Sequence, residues 1–180
     1  MTISRSVCLA FSVCAAILVV RPAVGQMATG TYTGDGADDR AITGVGFQPD
    51  VVIVKRYPNK NAVVRTSTMT GDASKKFIGD SGLLSNFIQS FEADGFTVGN
   101  EGGGFVNESG KPYHWIAFKA AAGTLHVDSY TGNGADDRSI TGVGFQPDYV
   151  IVVPTSSQHP YHRSSAMSGD ASAKMDGSAL

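Results

Sequence analysis

Short apolar runs, rich in β-branched and aromatic residues and separated by clusters of glycine, follow one another along most of the chain. Runs of this length and composition are typical of β-strands in an all-β domain. We therefore predict strands at residues 29–33, 40–43, 51–56, 62–67, 96–99, 113–119 and 124–130.

Two of these runs indicate how their strands are placed. Residues 51–54 are apolar at every position, which predicts a central strand covered on both faces. In the run 113–119 side chains alternate, so Tyr113, Trp115, Ala117 and Lys119 lie on one face and His114, Ile116 and Phe118 on the other. We expect one face to be mostly apolar and to pack inward.

Residues 81–95 are compatible with two structures. The large apolar side chains between positions 83 and 91 recur with helical spacing, which would suit one amphipathic helix. Equally, residues 87–92 and 96–99 can form a hairpin around Ala93, Asp94 and Gly95, which have the right chemistry for a turn. We prefer the hairpin because the neighbouring segments are β.

The first residues have the pattern of a secretory signal peptide. Arg5 precedes an apolar run over residues 7–20, and small residues follow before Gln26. The apolar run is shorter than the ~20 residues that a membrane-spanning helix needs. We predict a signal peptide at residues 1–25, cleaved after Gly25, and hence a secreted, extracellular or cell-surface protein without a membrane span after cleavage.

Composition narrows the chemistry of the mature protein. The chain's two cysteines, Cys8 and Cys14, lie in the predicted leader, so no disulfide and no cysteine ligand would remain. The formal net charge is −2, and it becomes −4 when Arg5 and Arg21 leave with the leader. Mild acidity without a basic stripe argues against nucleic acid as a partner.

One stretch of the chain is written twice. TGDGADDRAITGVGFQPD at residues 33–50 returns as TGNGADDRSITGVGFQPD at residues 131–148, and GDAS at 71–74 returns at 169–172. We predict a first domain at residues 26–122 and a truncated second copy at residues 123–180. Ile42 and Phe47 should be core residues, and so should Ile140 and Phe145.

The second copy lacks counterparts of the later strands of the first copy. It should therefore leave unpaired strand edges and an exposed apolar face. The simplest explanation is a fragment of a longer repeat protein. The alternative is that another subunit supplies the missing strands, which would let the chain assemble by strand complementation.

The repeated stretch carries an oxygen-rich group that could bind calcium. Its spacing differs from that of an EF-hand loop, and the competing interpretation is that these residues cap turns and pair with Arg40 or Arg138. No other cofactor is expected. The candidate ligands are Asp35, Asp38 and Asp39 in the first copy and Asn133, Asp136 and Asp137 in the second.

The two copies disagree most after the shared sequence VIV. A connection that differs between matching units is free of the core, and loops on a rigid scaffold commonly carry recognition. Neutral drift in a solvent-exposed loop would give the same difference. The candidate ligand-binding residues are Lys55, Arg56, Tyr57, Asn59 and Lys60 in the first copy and His159, Tyr161 and His162 in the second.

No group of residues supports a catalytic assignment. His126 and Asp128 lie near Ser129, but the chain has no G-x-S-x-G turn to present a nucleophile. The glycines at 102–104 lack the Lys and Ser or Thr of a phosphate loop, and they predict a flexible hairpin tip. Asn107 begins a formal N-glycosylation sequence, Asn107-Glu108-Ser109.

Three segments, YTGNGADDRSITGVGFQPDYVIV, DGFTVG and VNESGKPYHWIAFKA, resemble in that order a repeat of secreted bacterial surface proteins and of phage tail or fibre proteins. The resemblance covers nearly all of residues 27–121 and the surviving part of the second copy. It implies tandem antiparallel β-sandwiches of the jelly-roll or lectin-like kind, used for display or adhesion. It brings no catalytic residue.

These observations give three functional hypotheses. The first is a non-enzymatic secreted or cell-surface protein whose variable loops contact a glycan or a surface protein. The second is a structural subunit that self-associates by β-strand complementation through the incomplete second copy. The third, an extracellular hydrolase, lacks a nucleophile and a base in a suitable arrangement.

Overall fold

The computed structural model describes residues 25–58 and 60–175. These residues form eleven β-strands and no helix, which confirms the predicted all-β class. Residues 1–24 lie outside the described part, so the signal peptide stays a prediction. The strands are β1 (Gln26–Thr33), β2 (Arg40–Thr43), β3 (Val51–Arg56), β4 (Val63–Thr66), β5 (Lys75–Lys76), β6 (Ile88–Glu92), β7 (Gly95–Val98), β8 (Pro112–Lys119), β9 (Tyr149–Val152), β10 (Tyr161–Ser164) and β11 (Ala173–Lys174).

The strands form three antiparallel sheets. The first copy contains a five-stranded sheet in the order β1-β8-β3-β4-β5 and a three-stranded sheet in the order β2-β7-β6. Both sheets supply side chains to one apolar core, including Val52 and Trp115 from the larger sheet and Ile42 and Phe96 from the smaller one. The third sheet, β11-β10-β9, belongs to the second copy.

Most predicted strands of the first copy are confirmed. β2 and β3 have the predicted bounds, while β1 begins three residues earlier than expected because Gln26–Thr33 pairs along its whole length with β8. β5 was not predicted, since it is only two residues long and depends on its pairing with β4.

The hairpin of residues 88–98 is confirmed and the alternative helix is wrong. β6 and β7 pair antiparallel, with Phe91 opposite Phe96 and Glu92 opposite Gly95. The turn between them is held by a distant part of the chain. The Asp94 carboxylate accepts hydrogen bonds from the amides of Gly44 and Gly46 at 3.1 and 2.5 Å. This long-range contact fixes a turn where a helix would have continued.

β8 and β3 occupy the centre of the larger sheet. Tyr113 and Ala117 on β8 are fully buried, so one face of this strand packs inward as predicted, and it is the face that carries these two residues. β3 is central as predicted, since it lies between β8 and β4. Its expected coverage on both faces is wrong, because Val52 is fully buried whereas Val51 on the opposite face is only partly buried.

The second copy keeps the local pairing of the first. Tyr149 pairs with Ser164 as Val51 pairs with Thr66, and β10 pairs with β11 as β4 pairs with β5. β9 nevertheless differs from β3, because all four of its residues are exposed, with exposed fractions between 38% and 52%. Among the described residues its second edge has no strand partner.

The strand predicted at residues 124–130 is wrong, since only one isolated bridge, between Ala121 and Leu125, occurs there. The equivalent strand of the first copy, β1, pairs only with β8, and the described part of the second copy contains no counterpart of β8. The predicted core position of Ile140 is also wrong. Its side chain is 46% exposed, whereas its counterpart Ile42 is 6% exposed, and Phe145 is only partly buried.

Within residues 25–58 and 60–175 there is no helix of the length and apolar character that crossing a membrane requires.

Arg65 joins the two sheets of the first copy. Its guanidinium donates to the carbonyl oxygens of Ala73, Met69 and Gly71 in the β4–β5 turn, and it also reaches the Ile88 carbonyl at 3.5 Å. The Arg65 side chain is buried, with an exposed fraction of 7%. The turn therefore depends on a buried cation that satisfies several carbonyl groups at once.

We expect Arg65→Gln to lower the free energy of unfolding by about 2–3 kcal/mol, because buried carbonyls lose charge-assisted hydrogen bonds. Arg163 is a matched control, since it donates to the equivalent carbonyls of Ala171, Met167 and Gly169 at a more accessible site. Arg163→Gln should change the value by less than about 0.5 kcal/mol. Equal effects in denaturant unfolding would contradict this account.

Candidate functional site

Three loops of the first copy meet at one end of its sheets. Thr33 at the end of β1 and Arg56 at the end of β3 pair with Pro112 and Tyr113 at the start of β8. The loops at residues 34–39, 57–62 and 99–111 therefore emerge side by side. We call this surface the loop end.

Asn107 holds two of these loops together. Its side-chain amide donates to the Asp35 carboxylate at 2.9 Å and to the Ala37 carbonyl at 2.7 Å. Its side-chain oxygen accepts from the Asp35 amide at 3.2 Å and from Arg40 at 3.0 Å. All four contacts are local to the loop end, and the Asn107 side chain is buried.

This position of Asn107 bears on the formal glycosylation sequence. The side chain is 2% exposed, and its nitrogen already makes two hydrogen bonds. In the folded domain the Asn107 nitrogen is therefore inaccessible to a modifying enzyme.

The candidate calcium ligands of the first copy are engaged by protein donors. The Ala37 amide and the Asn107 side chain lower the pKa of Asp35, and Arg40 lies 3.2 Å from its carboxylate. Asp38 and Asp39 share the Gln89 side chain, whose nitrogen lies 3.2 and 3.0 Å from their carboxylate oxygens. The contacts of Asp35 with the Ala37 amide and with Arg40 agree with the competing interpretation, in which these residues cap turns and pair with Arg40.

The matching group in the second copy makes only the local contacts. The Asn133 side chain accepts from the Ala135 amide at 3.1 Å, and Asp136 accepts from the Asp137 amide at 3.0 Å. No set of three or more His, Cys, Asp or Glu side chains suited to a metal is found among the described residues. Calcium binding at either copy stays a prediction.

The loop at residues 99–111 is ordered by Glu101, which sequence reasoning missed. The Glu101 carboxylate accepts from the amides of Gly104 and Val106 at 3.0 and 3.3 Å, and also from those of Gly103 and Phe105. The glycines at 102–104 are not the tip of a hairpin as predicted, because β7 and β8 on either side of them lie in different sheets.

Two stacked tyrosines support this loop from below. The rings of Tyr32 and Tyr113 lie 5.1 Å apart at an angle of 16°. Their hydroxyls donate to the carbonyls of Val106 and Gly104. Burial raises the pKa of both tyrosines, so both hydroxyls stay protonated and continue to donate at neutral pH.

A basic and aromatic group covers the other side of the loop end. Arg56 forms an ion pair with Glu108 and donates to the Gly104 carbonyl at 3.0 Å. Lys55 donates to the carbonyls of Arg56 and Lys60, which folds the loop back on its own start. Tyr57 is 74% exposed. Asn59, the remaining candidate of this group, lies outside the described residues.

A cleft of about 140 Å³ lies between the loops at 34–39 and 99–111. Glu101, Glu108 and Ser109 contribute to its walls. Because Glu101 is bound by backbone amides and Glu108 by Arg56, the cleft presents mainly fixed polar groups.

The candidate residues of the second copy lie elsewhere. The Thr155 carbonyl accepts from the Leu83 amide at 3.2 Å, and the Ser156 carbonyl accepts from the Lys75 side chain at 3.1 Å. The loop at residues 153–160 thus packs on the first copy, and Pro160 within it is fully buried. We call this contact the junction.

His159 is part of the junction, whereas Tyr161 and His162 belong to β10. A Cβ atom added at Gly79 would lie 2.4 Å from the His159 ring, so the ring covers that glycine. The His162 ring lies 5.4 Å from that of Tyr149. The two predicted loop surfaces are therefore not brought together, and the second one contacts protein.

Lys75 anchors the junction from within the first copy. Its side chain is fully buried and donates to the carbonyls of Ser81 and Ser156. Burial lowers the pKa of Lys75, because the cation has lost its water. Sequence reasoning missed this residue, which looks like any surface lysine beside Lys76.

We expect Gly79→Ala to loosen the junction, because its new methyl group must displace the His159 ring. Overpacking of this kind costs about 1–3 kcal/mol, so exchange of the Leu83 amide hydrogen should become roughly five- to a hundredfold faster. Gly132→Ala is the control, since a Cβ there meets nothing within 4 Å. Unchanged Leu83 exchange in Gly79→Ala would show that the loop does not rest on Gly79.

Comparison with known proteins identifies the family of the first copy. A family model described as a domain of unknown function (DUF7483) matches residues 25–128, which is more than half of the chain. No curated protein and no solved structure matches. The two sheets, their common core and the loop end all lie within the matched region. The chain therefore belongs to the DUF7483 family.

Proposed function

We propose that this protein is a secreted or cell-surface binding protein, not an enzyme, and that the loop end of its first copy contacts a glycan or a surface protein. Two antiparallel sheets around one core, with recognition loops at one end, agree with a β-sandwich of the lectin-like kind. The predicted signal peptide supports export.

The junction is the observation that carries this proposal. The loop that follows β9 contacts another part of the protein, so this loop position already serves as a contact surface in the second copy. The equivalent loop after β3 is exposed at Tyr57, and Lys55 donates to the carbonyls of Arg56 and Lys60 at its two ends. A loop that carries an exposed aromatic side chain is well suited to recognition.

The carboxylates of the cleft favour binding over hydrolysis. A glycosidase needs one carboxyl group to donate a proton and another to act as base or nucleophile. Glu101 accepts from four amides and Glu108 pairs with Arg56, so both are already held in structural contacts.

Replacing Tyr57 with Ala should abolish ligand binding on a glycan array while leaving thermal unfolding unchanged. The exposed ring stabilises little of the fold, whereas an aromatic contact at a binding site contributes on the order of 2 kcal/mol or more. Tyr130→Ala is the control, because Tyr130 is 50% exposed in the second copy. Binding that survives Tyr57→Ala would remove this residue from the site.

A second candidate function rests on β9. Its four residues are exposed, and one of its edges is open within the described part of the chain. An open apolar edge can accept a strand from another chain. Structural self-association by strand complementation is therefore the alternative.

Under this alternative, light scattering should show oligomers that grow with protein concentration. Ile151→Lys should suppress them, because a lysine on an edge strand opposes strand addition. Ile140→Lys is the matched control, since Ile140 is also exposed but lies outside any strand. A monomer at all concentrations would exclude this function.

A further inference from the structure

The two copies of the variable loop differ in charge as well as in position. The loop that packs at the junction, residues 153–160, contains no Lys or Arg. In the first copy the equivalent positions are Lys55 and Arg56 at the end of β3 and Lys60 in the exposed loop that follows. The junction contacts use backbone carbonyls of Thr155 and Ser156, so a loop at this position does not need cations in order to dock.

Two of the three cations lack a neutralising partner. Arg56 pairs with Glu108, and the neighbouring Lys76 pairs with Asp80 at 2.5 Å. Lys55 and Lys60 form no salt bridge with any carboxylate in the described part of the chain. Their positive charge is therefore available to an anionic ligand.

The structure places these two charges close together. Lys55 donates to the Lys60 carbonyl and to the Arg56 carbonyl, so Lys60 in the loop is held beside the two basic residues that end β3. The Lys60 ammonium lies 4.9 Å from the centre of the Phe105 ring, which fixes it above the loop at 99–111. Tyr57, between them in sequence, exposes 74% of its surface.

This combination fits a particular class of ligand. An aromatic ring stacks on the apolar face of a sugar, while ammonium groups pair with carboxylates. We propose that this basic–aromatic loop binds an acidic polysaccharide whose sugar rings carry carboxylate groups. The proposal rests on the function proposed above and names the ligand class of the same site.

The surrounding charges set the strength and selectivity of this site. Glu108 and Glu101 lie on the neighbouring loop, and the protein carries a net negative charge. Two free cations therefore recognise one or two carboxylates at a time, and affinity must come from many repeating units along a polymer. A nucleic acid needs a longer basic track, which the described surface of this loop lacks.

The test uses the full chain with polygalacturonate as the acidic polysaccharide and dextran as the neutral one. Lys55→Gln combined with Lys60→Gln should weaken polygalacturonate binding by up to about thirtyfold at low salt, because two exposed ion pairs are lost. Tyr57→Ala should weaken it independently. Lys119→Gln, whose ammonium binds the Gln48 carbonyl at the opposite end of the sheet, should have no effect.

Lys60→Gln alone provides the check on folding, since the Lys60 ammonium makes one ring contact and no hydrogen bond to the loop. It should give part of the loss with unchanged thermal unfolding. Poly-glutamate and single-stranded DNA serve as anionic probes without sugar carboxylates. If either binds as tightly as polygalacturonate and Tyr57→Ala has no effect, the assignment to acidic polysaccharide is overturned.

The remaining outcomes separate this inference from the proposed function. If neutral glycans bind, and their binding needs Tyr57 but neither Lys55 nor Lys60, the proposed function stands and the assignment to acidic polysaccharide is overturned. If the protein binds no glycan and no anionic polymer, and Tyr57→Ala changes no signal on a glycan array, both the proposed function and the proposed ligand class are overturned.

Discussion

The hydrogen-bond ladder of β8 is the constraint on which the rest of the first copy depends. β8 pairs with β1 on one side and with β3 on the other. It also supplies Tyr113, Trp115 and Ala117 to the core. In the second copy the described residues include no such strand, and residues 124–131 form no ladder although they correspond to β1. The two segments share only two of eight residues, since Tyr32 and Thr33 match Tyr130 and Thr131, and only the segment that lies beside β8 forms a strand.

Local geometry survives without that partner. Asp39 and Asp137 have the same left-handed backbone, with φ of 54° and 51°. Arg65 and Arg163 each donate to three carbonyls at equivalent positions of their turns. Turns of this kind are set by residues close in sequence, whereas the burial of Ile42 and the exposure of Ile140 depend on distant strands. Side-chain burial of this size contributes about 1.5–3 kcal/mol per residue, so Ile42 stabilises the first copy more than Ile140 stabilises the described part of the second.

The same distinction explains what could be predicted from the sequence. β2, β3 and the β6–β7 hairpin follow from alternation and turn residues, which act over a few positions. Glu101, Asn107 and Lys75 were missed, because their roles depend on amides and carbonyls far away in the chain. Of the candidate site, Tyr57 and Lys60 lie on the loop after β3, Lys55 and Arg56 end that strand, and His159 contacts the first copy.

The variable loop shows how one position in a fold can serve two purposes. In both copies it follows a four-residue strand ladder of the same register, so its starting point is fixed by the sheet. When it docks, its carbonyls at Thr155 and Ser156 bind Leu83 and Lys75, and the His159 ring covers Gly79. None of these contacts needs a basic side chain, so the charge of the loop is free to differ between copies. In the first copy, Lys55, Lys60 and Tyr57 lie at the surface, and the packing of the core does not require these residue types there.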